Sequence, residues 1–118
     1  MRHLSLSLLF CLIALNGFAA DSEVEQSDLH RNKARVLIEE KDWAAAADEV
    51  REATRLNPKS ADAWLILGTA TMRLEKNEEA RDAFNKFLAL NPPESKVPAV
   101  KQRLVELETG LNLGGEPP

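Results

Sequence analysis

The tripeptide Leu56-Asn57-Pro58 occurs again as Leu90-Asn91-Pro92, and the segments before the two copies share further positions at the same displacement. This displacement, from residue 56 to residue 90, is the repeat period of the chain. Self-similarity at a period of this length is typical of stacked helical hairpins. A single hairpin of this kind cannot bury its apolar face alone, so its neighbours supply the missing surface. The repeat period therefore predicts an all-α chain built from tandem helix-turn-helix units.

The first 19 residues have the three-part layout of a secretory signal peptide. A positively charged start precedes an apolar run over residues 4–15, and small residues follow in 16–20. We expect cleavage after Ala19, with Ala20 as the alternative. Retention as a membrane anchor stays open, although the run is shorter than the roughly 20 residues that a span requires. On this prediction the mature protein is exported, to the periplasm or the cell exterior.

Cysteine content and charge narrow the function classes. Cys11 is the only cysteine and lies inside the apolar run, so the mature chain has no disulfide and must be stabilised by packing. Its surroundings resemble a bacterial lipoprotein signal only faintly, and we do not predict lipidation. Loss of Arg2 leaves 14 basic and 19 acidic side chains, a net charge of −5. A negative domain repels phosphate backbones, which argues against nucleic acid as a partner.

Apolar residues recur at helical spacing from Asp28 onward, whereas residues 20–27 lack this pattern and are interpreted as a flexible leader. We predict five helices, over 28–40, 43–56, 61–75, 78–90 and 95–109. Side chains suited to capping helix N-termini precede three of them, at Asp42, Ser60 and Asn77. Gly110 is a natural stop for the last helix, and residues 110–118 are interpreted as a disordered tail.

Small and aromatic residues recur at set positions of the two copies. In the second copy they are Trp64, Leu67, Gly68, Ala80, Phe84 and Pro92, and in the first copy they are Ala34, Ala46, Ala53 and Pro58. Residues at these spacings resemble the tetratricopeptide repeat, a helix-turn-helix unit of about 34 residues. The resemblance covers 27–94 and implies a right-handed α-solenoid fragment of two repeats, with the fifth helix as a capping helix and the whole domain over 28–109.

The small size of certain side chains has a physical reason. Gly68 and Ala34 are placed where the two helices of a hairpin cross, opposite Ala80 and Ala46, and only small residues permit a close crossing. The chain departs from the family at Thr71 and Leu37, where an aromatic residue is common. Phe87 replaces the small residue that the first copy has as Ala53. Either the fifth helix packs at a greater distance than an ordinary next repeat, or the Phe87 ring is partly exposed. We favour a core that is repacked around Phe87.

Catalysis finds little support in the residues. His30 is the only histidine after processing, tyrosine is missing, and no phosphate-binding glycine loop, His-x-x-x-His pair or nucleophile elbow is present. Carboxylate pairs at Glu39-Glu40 and Glu78-Glu79 fall at helix ends, where they are best interpreted as solvated side chains. We therefore predict neither an enzyme nor a cofactor or metal site.

The resemblance implies a scaffold or adaptor that binds a protein or peptide on the concave face formed by the first helices of successive hairpins. The residues predicted to line this groove are Arg31, Arg35 and Ile38 on the first helix, Leu65, Thr69, Met72 and Arg73 on the third, and Ala99 and Arg103 on the fifth. Arginines bind carboxylates and methionine adapts to apolar side chains, so we expect an extended acidic and apolar segment as the ligand. The simpler alternative is that the arginines only pair with neighbouring acidic side chains.

A different function stays open beside groove binding. Two repeats and a cap are fewer than the three or so units that a stable array usually needs. The chain could therefore self-associate, or dock as a structural subunit into a larger envelope or secretion assembly. We expect such a seam to form from Phe84, Phe87, Leu88 and the fifth helix.

Overall fold

The computed structural model describes the backbone of residues 2–113 and the side chains of residues 21–110. In this part of the chain the elements are α1 (Arg2–Glu39), α2 (Trp43–Leu56), α3 (Ala61–Arg73), α4 (Asn77–Ala89), a short 3-10 helix (Glu94–Lys96) and α5 (Val97–Leu113). No strand occurs among these residues. The predicted all-α class is therefore confirmed.

Consecutive helices pair as the repeat period predicts. Helices α1 and α2 form the first hairpin and α3 and α4 the second, while α2 packs on α3 and α5 packs on α4. Short connections of a few residues between helices force each pair to run antiparallel. The arrangement is two stacked helix-turn-helix repeats followed by one capping helix, as predicted.

Two of the three predicted N-caps form. The Asp42 carboxylate accepts a hydrogen bond from the backbone N–H of Ala45 at 3.3 Å, and the Ser60 hydroxyl accepts one from Ala63 at 3.4 Å. Asn77 does not cap α4, because the helix already begins at this residue and Lys76 precedes it without a side-chain cap. The capping prediction for Asn77 is wrong, since the backbone enters the helix one residue earlier than the sequence pattern indicated.

The first helix is longer than predicted. The structure places 20–27, interpreted from sequence as a flexible leader, within α1. Ser27 is buried there, and its hydroxyl donates a hydrogen bond to the backbone carbonyl of Ala53 at 2.8 Å. This bond fixes α1 to the last turn of α2. The predicted signal peptide falls on residues whose side chains lie outside the described part of the chain.

The last helix also extends further than predicted. Helix α5 continues through Gly110 to Leu113, and no neighbouring atom lies within 4 Å of the position where a Cβ of Gly110 would stand. Gly110 therefore does not stop the helix, because its backbone does not adopt the positive φ of a glycine at a helix stop. The remainder of the predicted tail, 114–118, lies outside the described residues.

In each hairpin the two helices cross at a pair of residues of different size. In the second hairpin the ring of Phe84 lies directly against Gly68, and a Cβ on Gly68 would stand 2.5 Å from Cε1 of this ring. The positions one repeat period earlier hold Ala34 and Val50, which share a buried cluster that extends from the first hairpin into the second. A larger side chain on one helix is thus accompanied by a smaller one on the other. The contact opposite Gly68 is the Phe84 ring, whereas the sequence had pointed to Ala80.

Phe87 is buried by the capping helix. Only 1% of its surface is exposed, and it belongs to a cluster with Phe84, Val100 and Leu107. The core is thus repacked around the larger ring, as favoured from the sequence. The seam expected for self-association is wrong in this respect, because Phe84 and Phe87 face α5 of the same chain and present almost no surface to another molecule.

Thr71 occupies a place where the family often has an aromatic residue. Its side chain is fully buried, and its hydroxyl donates a hydrogen bond to the carbonyl of Leu67 at 2.6 Å. Since a buried hydroxyl needs a partner, the carbonyl one helical turn earlier makes threonine acceptable there.

Among the helices that the structure describes, none is both long and apolar enough to cross a membrane.

An ion pair joins the second helices of the two repeats. The Arg51 guanidinium of α2 donates to both carboxylate oxygens of Glu79 in α4, at 2.8 Å each. Hydrogen bonding to Arg51 lowers the pKa of Glu79 below its usual value, and the same pair raises the pKa of Arg51. The bidentate geometry makes this a specific contact between α2 and α4.

Candidate groove surface

The groove surface is formed by the outward residues of α1, α3 and α5, which occupy equivalent places in successive units. One repeat period leads from Arg31 to Leu65 and then Ala99, from Arg35 to Thr69 and Arg103, and from Ile38 to Met72 and Glu106. Ala99 is exposed, whereas Arg103 is half-buried. The period therefore sets three rows of side chains across one face of the domain.

Three cations meet at one carboxylate at the start of this surface. Arg35 of α1 donates a hydrogen bond to Asp62 in the first turn of α3, and Arg31 Nε lies 3.6 Å from the same Asp62 oxygen. Lys96 of the 3-10 helix approaches the other oxygen to 3.9 Å. Arg31 also lies 3.3 Å from Asp28 on its own helix. Two of the four arginines predicted to face a ligand, Arg31 and Arg35, are thus paired with acidic side chains in the free protein.

The middle of the surface is moderately apolar. Leu65, Thr69 and Met72 are half-buried, and the Thr69 hydroxyl is satisfied by the Leu65 carbonyl at 2.9 Å. Leu65 and Met72 also pack against the Phe84 cluster, so part of each side chain is already in contact with the core. Ile38 packs against the core of the first hairpin and offers less surface than predicted, because it fills the space beside Ala34.

A pocket of about 420 Å³ lies at the other end of the surface, between α3 and α5. Its lining residues are Met72, Arg73, Glu75, Arg103 and Glu106. The Arg103 guanidinium approaches the Met72 sulfur to 4.0 Å, and the Arg73 guanidinium lies 5.4 Å from the ring centre of Trp43. Three residues predicted for the groove are thus brought together, and two glutamates that were not predicted accompany them.

The helix geometry gives the groove surface a length. Asp62 and Met72 lie ten residues apart on α3, which corresponds to roughly 15 Å along the helix axis. The Asp62 cluster and the pocket between α3 and α5 therefore mark two charged ends of a surface whose middle is formed by Leu65 and Thr69. An extended segment of a few residues spans such a distance.

A second, more apolar pocket lies between the ends of α2 and α4. It has a volume of about 270 Å³ and is lined by Pro58, Trp64, Lys86, Ala89 and Leu90. The Trp64 indole donates a hydrogen bond to the Pro58 carbonyl at 2.8 Å, and the Lys86 ammonium lies 4.3 Å from the indole ring centre. These contacts hold Trp64 in the wall of the pocket, so its side chain serves the packing of the repeat.

The carboxylates with shifted pKa values belong to ion pairs on helix surfaces. The pKa of Glu49 is lowered chiefly by its hydrogen bond with His30 at 2.7 Å, and next by Lys33 at 2.9 Å. The equivalent places in the second repeat hold Trp64, Leu67 and Ala83, so an ionic cluster in one repeat corresponds to an apolar cluster in the next.

Within residues 21–110 no group of three potential metal ligands is found.

Asp62 and Lys96 lie together at one end of the candidate groove surface and were not among its predicted residues. Both lie on a row that starts at Asp28, because one repeat period leads from residue 28 to residue 62 and a second leads to residue 96. The period was therefore a sufficient signal for placing all three at the same end of the surface.

The comparison with known proteins agrees with the repeat geometry. The family model described as tetratricopeptide repeat matches residues 19–95. These residues include α2, α3, α4 and the part of α1 from residue 19 onward. No curated protein matches the chain at a significant level. Repeats of this family mediate interactions between proteins and are typically non-catalytic. The structure has two stacked hairpins that repeat at one fixed period and whose helices cross at small residues. Together with the match over most of the chain, this arrangement shows that the protein belongs to the tetratricopeptide repeat family.

Proposed function

We propose that the protein is an exported, non-catalytic adaptor that holds an extended segment of another protein on its groove surface. The segment carries acidic and apolar residues. The observation that carries this proposal is the arrangement of half-buried Leu65, Thr69 and Met72 between two ends that contain arginines. Arginine forks bind carboxylates, and the methionine side chain adapts to irregular apolar groups.

Export is supported by the amino-terminal sequence. The charged start, the apolar run over residues 4–15 and the small residues before Asp21 form the layout of a signal peptide, and residues 19–95 matched by the family lie after the run. Mass spectrometry of protein recovered from the exported fraction tests this assignment. We expect a mature chain that begins at Ala20 or Asp21. An intact amino terminus on protein found only in the cytoplasm would contradict export.

Affinity capture from the exported fraction tests the groove. The protein is compared with an Arg31→Glu, Arg35→Glu variant, and we expect the variant to lose partners that the unchanged protein retains. Arg55 and Lys59 are exposed and lie outside the groove surface, so Arg55→Glu, Lys59→Glu is a matched control for the change in net charge. Equal recovery of the same proteins by all three forms would contradict groove binding.

Self-association is a second candidate, favoured by one feature of α1. Leu29 and Val36 are 69% and 53% exposed on the outer face of α1, whereas their equivalents Ala63 and Ala70 are fully buried. In α3 these places lie against the preceding hairpin, so α1 presents to solvent a face that a further helix could cover. Light scattering over a range of concentrations tests this candidate. A constant monomer mass would exclude it, and a mass that doubles with concentration and returns to the monomer value with Leu29→Lys would favour it.

A further inference from the structure

Met72 is the one methionine of the chain apart from Met1, and Cys11 is the one cysteine. Removal of the signal peptide, as proposed above, takes away Met1 and Cys11. Met72 then holds the only sulfur atom of the mature chain. Peroxides oxidise a methionine thioether to the sulfoxide, and methionine sulfoxide reductases restore it. This reversible chemistry therefore has a single target in the mature protein.

The Met72 side chain lies between the core and a pocket. It is half-buried and packs against the Phe84 cluster, and it also lines the pocket of about 420 Å³ between α3 and α5. A hydrogen peroxide molecule is little larger than water, which occupies about 30 Å³ in the liquid, so the pocket admits it. In the first repeat the equivalent residue is Ile38, which packs against the core and contains no sulfur.

The Arg103 guanidinium of α5 faces the Met72 sulfur. Its Nη1 atom lies 4.0 Å from Sδ, at the outer limit of a hydrogen bond to sulfur. Among the described side chains, Arg103 forms no salt bridge with a carboxylate. A thioether is only a weak acceptor. An oxygen added to the sulfur on this side stands between the two groups and accepts a charge-assisted hydrogen bond from the guanidinium.

We propose that Met72 is a reversible oxidation site, at which hydrogen peroxide forms a methionine sulfoxide whose oxygen is held by Arg103. In this step the sulfur lone pair attacks one peroxide oxygen, so that the S–O bond forms and the O–O bond breaks. The proton of the transferred hydroxyl passes to the departing hydroxide, which leaves as water. The thioether is oxidised by two electrons and the peroxide is reduced by two.

Oxidation changes the surface on which the proposed function rests. Met72 supplies part of the apolar middle of the groove surface, where its thioether adapts to apolar groups. The sulfoxide is polar and disrupts contacts of that kind. Oxidised protein therefore binds apolar segments more weakly, and a reductase restores the binding. The inference rests on the proposed groove function and adds control by oxidants to it.

Peptide mass spectrometry of the purified protein after treatment with hydrogen peroxide tests the site. The peptide that contains Met72 should gain one oxygen atom on a time scale similar to that of urea-unfolded protein, and Met72→Leu should gain none there. Because one side of the side chain packs against the core, folded protein should give one sulfoxide epimer in excess. Epimer-specific reductases distinguish the two products. A folded protein that resists peroxide, or equal epimers from folded and unfolded protein, would overturn the proposal.

Urea denaturation of reduced and oxidised protein measures the role of Arg103. In Arg103→Leu, oxidation should lower the folding equilibrium constant about fivefold or more beyond its effect on the unchanged protein, the scale of one hydrogen bond. Arg73→Leu is the matched control, because Arg73 has the same charge and lines the same pocket while it lies against Trp43. Its oxidation penalty should equal that of the unchanged protein. Equal penalties in all three proteins, or equal increases in both variants, would contradict the proposal.

Affinity capture with reduced, oxidised and reductase-treated protein tests the consequence for the groove. Oxidation should lower partner recovery reversibly, and it should leave Met72→Leu unaffected because leucine stays apolar. If Met72 reacts as expected while Arg31→Glu, Arg35→Glu captures the same proteins as the unchanged protein, the oxidation site stands and groove binding falls. If folded Met72 resists peroxide while that double variant loses its partners, groove binding stands and the oxidation site falls.

Discussion

The Phe84 ring lies so close to Gly68 that a Cβ on this glycine would stand 2.5 Å from ring atom Cε1 and 2.6 Å from Cδ1. Both residues are buried, and Phe84 is fixed by the surrounding cluster of Phe87 and Val100. The ring therefore has little room to move aside. The distance between α3 and α4 depends on the absence of a side chain at residue 68.

Gly68→Ala should destabilise the protein even though alanine favours helices. Overpacking of a rigid core costs about 1–3 kcal/mol, whereas the gain in helix propensity is about 1 kcal/mol. The difference is a net loss of up to roughly 2 kcal/mol in the free energy of unfolding, and the 2.5 Å contact favours the upper part of this range. Urea denaturation measures this loss. An unchanged or higher stability would show that the ring can relax.

The double variant Gly68→Ala, Phe84→Val should be less destabilised than the two single changes would give by addition. It reproduces the alanine and valine that the first repeat has as Ala34 and Val50, both fully buried. Removing the ring opens the space that the new methyl group needs, so the two changes are coupled. Strict additivity in a double-mutant cycle would mean that the two residues do not limit each other.

Glu79→Gln should lower stability near neutral pH and have little effect in acid. The folded-state pKa of Glu79 is lowered by Arg51, so the ion pair contributes stability that is fully present above the unfolded value of about 4.3. This contribution is lost as the pH falls through the lower folded-state pKa. Both side chains are about one-third exposed, 35% and 36%, so we expect only about 0.5–1 kcal/mol at pH 7.

Glu78→Gln is the control for this pH dependence. Glu78 lies beside Glu79 in the first turn of α4, and it experiences the same helix dipole. Thermal unfolding of the two variants and the unchanged protein between acidic and neutral pH separates the Arg51 contact from the dipole. If both variants show the same profile, the Arg51–Glu79 pair has no measurable role.

Lys41→Gly and Glu75→Gly should each stabilise the protein. The two residues occupy equivalent turns of the two repeats, and both have left-handed backbones with φ of 61° and 60°. A side chain in this region costs about 1–2 kcal/mol relative to glycine, partly offset by the greater freedom of glycine in the unfolded chain. We expect a gain of about 0.5–1 kcal/mol in urea denaturation, and a small loss for the exposed control Lys59→Gly. If glycine at residues 41 and 75 lowers the free energy of unfolding as it does at residue 59, the two turns are not strained.

Ser27→Ala should test whether the early part of α1 belongs to the folded domain. The Ser27 hydroxyl is buried and donates to the Ala53 carbonyl at 2.8 Å, so its loss should cost about 1 kcal/mol. Ser95→Ala, at an exposed position, should cost much less. Unfolding by urea distinguishes the two. Equal effects would show that the Ser27–Ala53 bond contributes no measurable stability.

The repeat period predicted those features that each hairpin determines alone. Asp42 and Ser60 cap their helices as expected, because a cap is a contact between residues three apart. The helix order and the need for a small residue at Gly68 also followed from the pattern. These features depend on local sequence and on the comparison of two copies.

Contacts between distant segments could not be predicted in the same way. The Ser27 bond to Ala53 depends on the axial position of α1 relative to α2. Because this position is not encoded locally, the earlier start of α1 was not predicted. The Arg51–Glu79 pair joins residues 28 apart and forms only when the repeats stack. The ion pairs of Asp62 also join separate segments, since Arg31 and Arg35 lie on α1 and Lys96 lies on the 3-10 helix.

Photo-crosslinking in the exported compartment tests groove binding most directly. A photoreactive amino acid is placed at Thr69 or Arg103 on the groove surface, and at Leu29 or Val105, which are 69% and 60% exposed elsewhere. We predict crosslinks to a partner protein from Thr69 and Arg103, lost with Arg31→Glu, Arg35→Glu, and none from Leu29 or Val105. Crosslinks confined to Leu29 or Val105 would contradict the groove and place the interaction on another face.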